Sequence, residues 1–341
     1  MHKSLEIRLF GGLRVLLDGE PLTAFMSAKV PALLAYLAVS GRGQRRDDLA
    51  TLLWGELPDV DARNNLRQAL ANLRRSLEPH LLITRDEVAL NSAAPCLLDV
   101  AAFEVQLHPS SALSAEARAA QLTAAAALYT GDFLNGFFVR DAPGFEEWML
   151  AQRARYRELA LDALHALTRL QLDLGRFDLA ISDASRLLAL DEWREESHGQ
   201  LMLALARTGQ RSAALAQYQR CRRLLQQEFG VEPSDQTTAL YERIRLAMSG
   251  PRHNLPAATT GFTGREGEVA ELRRQLAAPE NRLLTILGPG GVGKTRLACE
   301  VGAACEPTFL NGAWFVQLAA PRAASPSLLA QAVADSLGCP Q

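Results

Sequence analysis

Very little in this chain speaks for secretion, metal binding or a membrane. Five cysteines (Cys96, Cys221, Cys299, Cys305 and Cys339) are scattered with no C-x-x-C pair. That argues against a disulfide framework or a zinc site and fits a reducing cytosol. The six histidines form no H-x-x-x-H or H-E-x-x-H spacing, so no catalytic metal site is expected. No charged-then-apolar leader opens the sequence, and no unbroken apolar run is long enough to span a bilayer. The expectation is a cytoplasmic protein that does not enter a membrane. Aromatic residues are scarce at 6%, and the net charge of −2 gives no global basic signal. Any attraction to nucleic acid must therefore be local. What remains is an ordinary globular composition, 48% hydrophobic and 22% charged over 341 residues, enough for two or three domains.

The first part of the chain mixes short strands with helices. Leu5–Phe10 and Leu13–Leu17 surround Gly11-Gly12, and Asp18-Gly19 is a hairpin-type dipeptide. Helices are predicted over about Lys29–Val39, with Pro31 tolerated in the first turn, then Arg46–Trp54 and Ala62–Leu77. Leu81–Thr84 and Val88–Leu90 flank Arg85-Asp86-Glu87 as a closing hairpin. Strands, three helices and a hairpin are the order of a winged helix. From about Asp99 to Met248 the pattern is helical throughout. Leu174-Gly175 with Ala180 recurs as Thr208-Gly209 with Ala214, 34 residues on, which is the tetratricopeptide period. Pro251 and Pro256 mark a linker before Gly261. The predicted organisation is thus multidomain: an α+β winged helix (1–98), an all-α TPR-like repeat domain (99–248), a linker (249–260) and an incomplete α/β P-loop NTPase domain (261–341).

Chemistry is most specific in the last part. Gly288-Pro289-Gly290-Gly291-Val292-Gly293-Lys294-Thr295 fits G-x-x-x-x-G-K-[ST] at every fixed position. Leu283–Leu287 before it reads as a buried strand and Thr295–Ala304 after it as a helix. In such a loop backbone N–H groups turn onto a phosphate, the lysine reaches the outer phosphates and the threonine ligates Mg²⁺. ATP or ADP with Mg²⁺ is the implied cofactor, held by Gly288, Gly290, Gly291, Val292, Gly293, Lys294 and Thr295, with Thr295 on the metal. No apolar run ending in paired acids follows Lys294, and Asp335 lies at helical spacing within Leu328–Leu337. Hydrolysis needs an acid to position Mg²⁺ and water, so binding without turnover is expected and no catalytic residue is assigned.

The third helix carries a different chemistry. Leu66, Ala69, Leu70, Leu73 and Leu77 form an apolar stripe. The other face holds Arg63, Asn64, Arg67, Gln68, Asn72, Arg74 and Arg75, with no acid between Arg63 and Leu77. Asp61 is placed to cap the start. Arginine reads guanine, asparagine and glutamine read adenine, and arginine also clamps phosphates. At about 1.5 Å per residue the helix is long enough to lie in a major groove.

Residues 1 to about 248 resemble the antibiotic-regulatory (SARP) activators, which join an OmpR-type winged helix to a bacterial transcriptional activator domain. The resemblance rests on Leu52-Leu53-Trp54-Gly55, Asn72–Leu77, Leu128-Tyr129-Thr130-Gly131-Asp132-Phe133-Leu134 and Leu187–Asp191. It continues through Arg194-Glu195-Glu196-Ser197-His198 to Glu228-Phe229-Gly230-Val231-Glu232-Pro233-Ser234. It implies that the third helix enters the major groove of promoter DNA and that the wing touches the backbone. It also implies that the helical domain assists dimerisation, or a higher oligomer on DNA, and contact with RNA polymerase holoenzyme. Carried over, Arg63, Asn64, Arg67 and Gln68 face bases, while Arg74, Arg75 and Arg85 meet phosphates. The sequence departs from the family at Arg63-Asn64-Asn65, so its operator cannot be borrowed. Residues 261–341 resemble the start of a STAND-type (NB-ARC-like) ATPase. Phe262-Thr263-Gly264-Arg265-Glu266 looks like its entry motif, placing Arg265 at the nucleotide, and Gly312–Val316 like its second strand. The function implied is a DNA-binding activator regulated by nucleotide; the alternative is an ATP-hydrolysing STAND enzyme that uses the repeats for recruitment.

Overall fold

The computed structural model describes residues 4–108, 113–249, 253–256, 262–278, 281–305, 309, 312–318 and 326–337. The chain divides into two compact units, Met1–Leu164 and His165–Gln341, and the long helix α6 (Pro143–Asp173) belongs to both.

In the first unit β1 (Leu5–Arg8) pairs antiparallel with β2 (Arg14–Leu17), which pairs with β3 (Glu20–Pro21). The β2–β3 turn is Asp18-Gly19, both at positive φ (53° and 84°), as a tight primed hairpin turn requires. The fourth strand, β7 (Cys96–Leu98), joins β1 in parallel and was not foreseen. Three helices follow β3: α1 (Lys29–Ser40), α2 (Arg46–Trp54) and α3 (Asp59–Leu77). The wing is a three-stranded sheet in which β6 (Glu87–Leu90) lies between β5 (Leu81–Ile83) and the two-residue β4 (Gln44–Arg45). Leu66, Ala69, Leu70, Leu73 and Leu77 are all buried, as their spacing predicted. The third helix starts three residues earlier than expected, after Pro58, whose ring suits the position before a first turn. Asp61 therefore does not cap it: Asp59 and Asp61 lie inside the first turn and no side chain caps the start.

The helical pattern after Asp99 is interrupted. α4 (Asp99–Leu107), α5 (Ala115–Leu128) and α6 are helical, but residues 129–142 are not. Instead that stretch takes its hydrogen bonds from the end of β1. Gly11 N–H donates to the carbonyls of Gly131 (3.3 Å) and Asp132 (3.1 Å), and Leu134 N–H to Leu9 (2.8 Å). The two chains approach so closely that a Cβ on Gly131 would sit 3.1 Å from the Gly11 Cα, and Gly11 has φ 72°. Only glycine serves at both places. Asp99, the first residue of α4, closes the same junction: its carboxylate accepts from Leu9 N–H (2.7 Å) and Phe10 N–H (2.9 Å). Burial pushes the Asp99 carboxyl up, and the backbone donors work against that rise. The Phe10 ring meets Phe103, Tyr129 and Tyr156 at 5.3, 5.1 and 5.5 Å, all edge-on, the arrangement that aromatic quadrupoles favour.

The second unit bears out the repeat. α7 (Phe177–Leu190), α8 (Glu195–Arg207), α9 (Arg211–Phe229) and α10 (Asp235–Ser249) pack in succession. Arg176 N–H reaches Gln171 O and Gly175 N–H reaches Leu172 O; Gln210 to Leu205 and Gly209 to Ala206 repeat the pattern 34 residues later. These are two identical Schellman ends, each with its glycine at positive φ (69° and 81°). Ala180 and Ala214 are both fully buried.

The C-terminal part shows α11 (Glu266–Ala277) packed against α12 (Lys294–Cys305) around Leu297, Val301 and Cys305, and a further helix, α13 (Pro326–Leu337). The expected strands are not formed. Leu283–Leu287 makes no ladder, and Leu283 and Leu287 are 84% and 86% exposed. A parallel strand needs neighbours on its edges; in the segment expected as the second strand, the one bridge among the described residues is Ala313 with His253. The α/β P-loop fold is thus not established. His253 and Leu255, read as linker, instead lie against Ala313 and Gly302.

Asp99→Ala should leave the buried amides of Leu9 and Phe10 unpaired and lower stability by about 1–3 kcal/mol. Urea unfolding of the whole chain, followed by tyrosine and tryptophan fluorescence, measures it; an unchanged midpoint would mean that the carboxylate does not hold this junction.

Candidate functional site

Helix α3 presents its polar face outward. Arg63, Asn64, Arg67, Gln68, Arg74 and Arg75 are exposed, while Asn65 and Asn72 are half-buried along one margin. At 3.6 residues per turn three rows can be told apart. Asn64, Gln68, Ala71 and Arg75 run down the middle of the exposed face. Arg63, Arg67 and Arg74 form one flank, and Asp61, Asn65 and Asn72 the other.

The side chains are not equally free. Arg63 Nε donates to Asp47 of α2 at 2.9 Å, and Arg74 pairs with Glu78 at 3.1 Å. Arg67 donates to Asn64 Oδ1 at 3.0 Å, so the two lie together. Asn72 Oδ1 accepts from Met26 N–H at 3.4 Å, tying α3 to the segment before α1. Arg75 and Arg85 make no ion pair among the described residues, Arg85 standing exposed in the β5–β6 turn. Both partners of each ion pair are well over a third exposed. Such pairs are worth at most about 1 kcal/mol, so Arg63 and Arg74 can exchange them for another anion at little cost. The sequence pattern located these residues but could not show that two arginines already hold acids or that Asn72 has a structural partner; no local signal marks a contact to Asp47 from Arg63.

At the glycine-rich loop, Gly291 and Gly293 have positive φ (77° and 88°) and α12 begins at Lys294. The Lys294 ammonium donates to the carbonyls of Gly288 and Pro289, both at 2.8 Å. Thr295 is exposed in the first turn, and Arg265 lies 3.9 Å from Glu268. Asp335 sits on α13, bonded to Gln331 one turn earlier, so it does not end a strand. The loop, the lysine and the helix N-terminus fit a nucleotide's phosphates. Lys294 and Thr295 are the residues that would hold phosphate and Mg²⁺.

Comparison with known proteins assigns the helical part. A family model, the bacterial transcriptional activator domain, matches residues 98–245. The resemblance to the SARP regulators drawn from the sequence is borne out by this match and by the relatives. Regulatory protein AfsR of Streptomyces coelicolor is 30% identical over 98% of this chain and 36% of its own length. Transcriptional regulatory protein MoaR1 of Mycobacterium tuberculosis is 29% identical over 71% of this chain and 79% of its own. The solved structure of Mycobacterium tuberculosis EmbR, in complex with a low-affinity phosphopeptide, superposes with a TM-score of 0.58 and 26% identity. It covers 72% of this chain and 65% of that one. The chain thus spans about a third of the length of the AfsR regulators it matches. Among the described residues no helix is long and apolar enough to cross a membrane.

Proposed function

We propose that the chain is a sequence-specific, DNA-binding transcriptional activator. It binds double-stranded promoter DNA through α3 and the β5–β6 wing, and it recruits RNA polymerase holoenzyme as a homodimer or higher oligomer on DNA. The observation that carries this reading is the arginine- and amide-rich outer face of α3, free of acids from Arg63 to Leu77 and set beside a three-stranded wing, in a chain whose next part matches an activator-domain model. Arg67, Gln68 and Asn64 read base edges from the exposed face. Arg75 and Arg85, which make no ion pair among the described residues, meet phosphates directly, and Arg63 and Arg74 do so by releasing Asp47 and Glu78. A helix in the groove makes both kinds of contact, and only the first carries sequence information.

Regulation by ATP or ADP with Mg²⁺ at Gly288–Thr295, with Arg265 at the nucleotide, belongs to the same proposal. Its support is the motif, the lysine's place at the loop carbonyls and the left-handed glycines.

Arg67→Ala and Gln68→Ala should each weaken binding to a selected duplex by about 1–3 kcal/mol while nearly sparing random duplex. Arg75→Ala should weaken both alike and flatten the salt dependence. Fluorescence anisotropy over a salt series reads all three; equal losses on both duplexes for every variant would mean that α3 is not the reading helix.

Nucleotide at one hundred times its dissociation constant should stabilise the segment that holds it by about 2.7 kcal/mol. The direct measurement is a thermal shift with Mg²⁺ and ADP or ATP, run beside Lys294→Ala. A shift that survives in the variant would contradict the assignment.

A further inference from the structure

We infer that Arg140, on the activator-domain side of the first unit, binds the DNA backbone along the flank of α3 that has no cation of its own. The inference rests on α3 being the reading helix. A helix lying in a major groove has a phosphate backbone on either side of it. On one flank α3 supplies Arg63, Arg67 and Arg74, but on the other it offers the amides of Asn65 and Asn72, with the exposed carboxylate of Asp61 at its start. Neutral amides there meet phosphates without the charge that dominates DNA affinity.

Arg140 lies at that margin. It lines a depression of about 350 Å³ together with Asn65, Gln68, Met26, Lys29 and Trp54. Its side chain is exposed and makes no ion pair among the described residues. Lys29, the other cation there, is already engaged: its ammonium donates to the carbonyls of Leu53 (2.6 Å) and Asp141 (2.8 Å) and lies 5.5 Å from the Trp54 ring. Arg140 is therefore the cation left for an external anion.

The loop that carries Arg140 is held in place. Its neighbours Val139 and Ala142 are buried. Arg153 donates to the carbonyls of Phe133 (2.9 Å) and Leu134 (3.0 Å), and Lys29 to that of Asp141. Leu134 and Asp141 both adopt positive φ, 49° and 53°, a conformation that non-glycine residues keep only where the surroundings impose it. A guanidinium on a fixed loop loses less freedom on meeting a phosphate than one on a flexible arm. The DNA footprint thus extends past the winged helix into residues 129–142.

The test is anisotropy on the whole chain with Arg140→Ala and Arg140→Lys, using a selected and a random duplex over a salt series. Arg140→Ala should lose roughly three- to tenfold on both duplexes, and its slope of log affinity against log salt should fall by about 0.9. Arg140→Lys should keep most of the affinity, because a phosphate needs charge rather than the guanidinium fork. Unchanged affinity and slope in Arg140→Ala, beside a normal loss in Arg67→Ala, would overturn this inference alone. If Arg67→Ala is silent too, the reading of α3 fails with it. A loss confined to the selected duplex would also overturn the inference, since it would make Arg140 a base contact.

Discussion

The first unit is closed at one junction, where β1 ends. Leu9 and Phe10 turn their amides onto the Asp99 carboxylate, Gly11 bonds the backbone of Gly131 and Asp132, and the Phe10 ring closes the aromatic cluster. These contacts link residues from about ninety to nearly one hundred and fifty positions apart. They make the winged helix and the first activator-domain helices one compact unit. The two are distinct in sequence pattern but continuous in packing, which is why a loop at 129–142 comes to line the same depression as Asn65 and Gln68.

Electrostatics on α3 are arranged by exposure rather than by net charge. The protein as a whole is slightly acidic, and its arginines matter because of which of them are occupied. Two hold exposed acids in weak pairs, one lies against Asn64, and Arg75 has no such partner. An exposed ion pair stabilises the fold little, so it costs little to exchange for phosphate. Such pairs also hide positive potential from wrong partners until a dense polyanion competes for them.

Much of this was legible in the residues. The apolar stripe of α3 and the bounds of α2 follow from periodicity, and the 34-residue offset ends in two Schellman turns bonded alike. What was not legible shares one cause: it depends on partners far off in sequence. β4 is two residues long and has no pattern of its own; β6 makes it a strand. β7 is set by its pairing with β1. Residues 129–142 follow helical composition on both sides, yet their backbone groups bond to β1 instead. Leu283–Leu287 looks like a strand by composition but lacks the neighbours that would make it one. Of the candidate site, the residue types on α3 were readable and their pairings with Asp47, Glu78 and Met26 were not, nor was Arg140, which stands in no periodic pattern.

The claim on which the rest turns is that this chain selects a DNA sequence. Incubating it with fragments of a genomic library at rising salt, and sequencing what stays bound, tests that directly. Phosphate contacts weaken with salt on every fragment, whereas base contacts persist on those that carry the site. The account predicts that the fragments surviving the highest salt share a recurring sequence. Bound fragments no more alike than the input library, at every salt concentration, would contradict it.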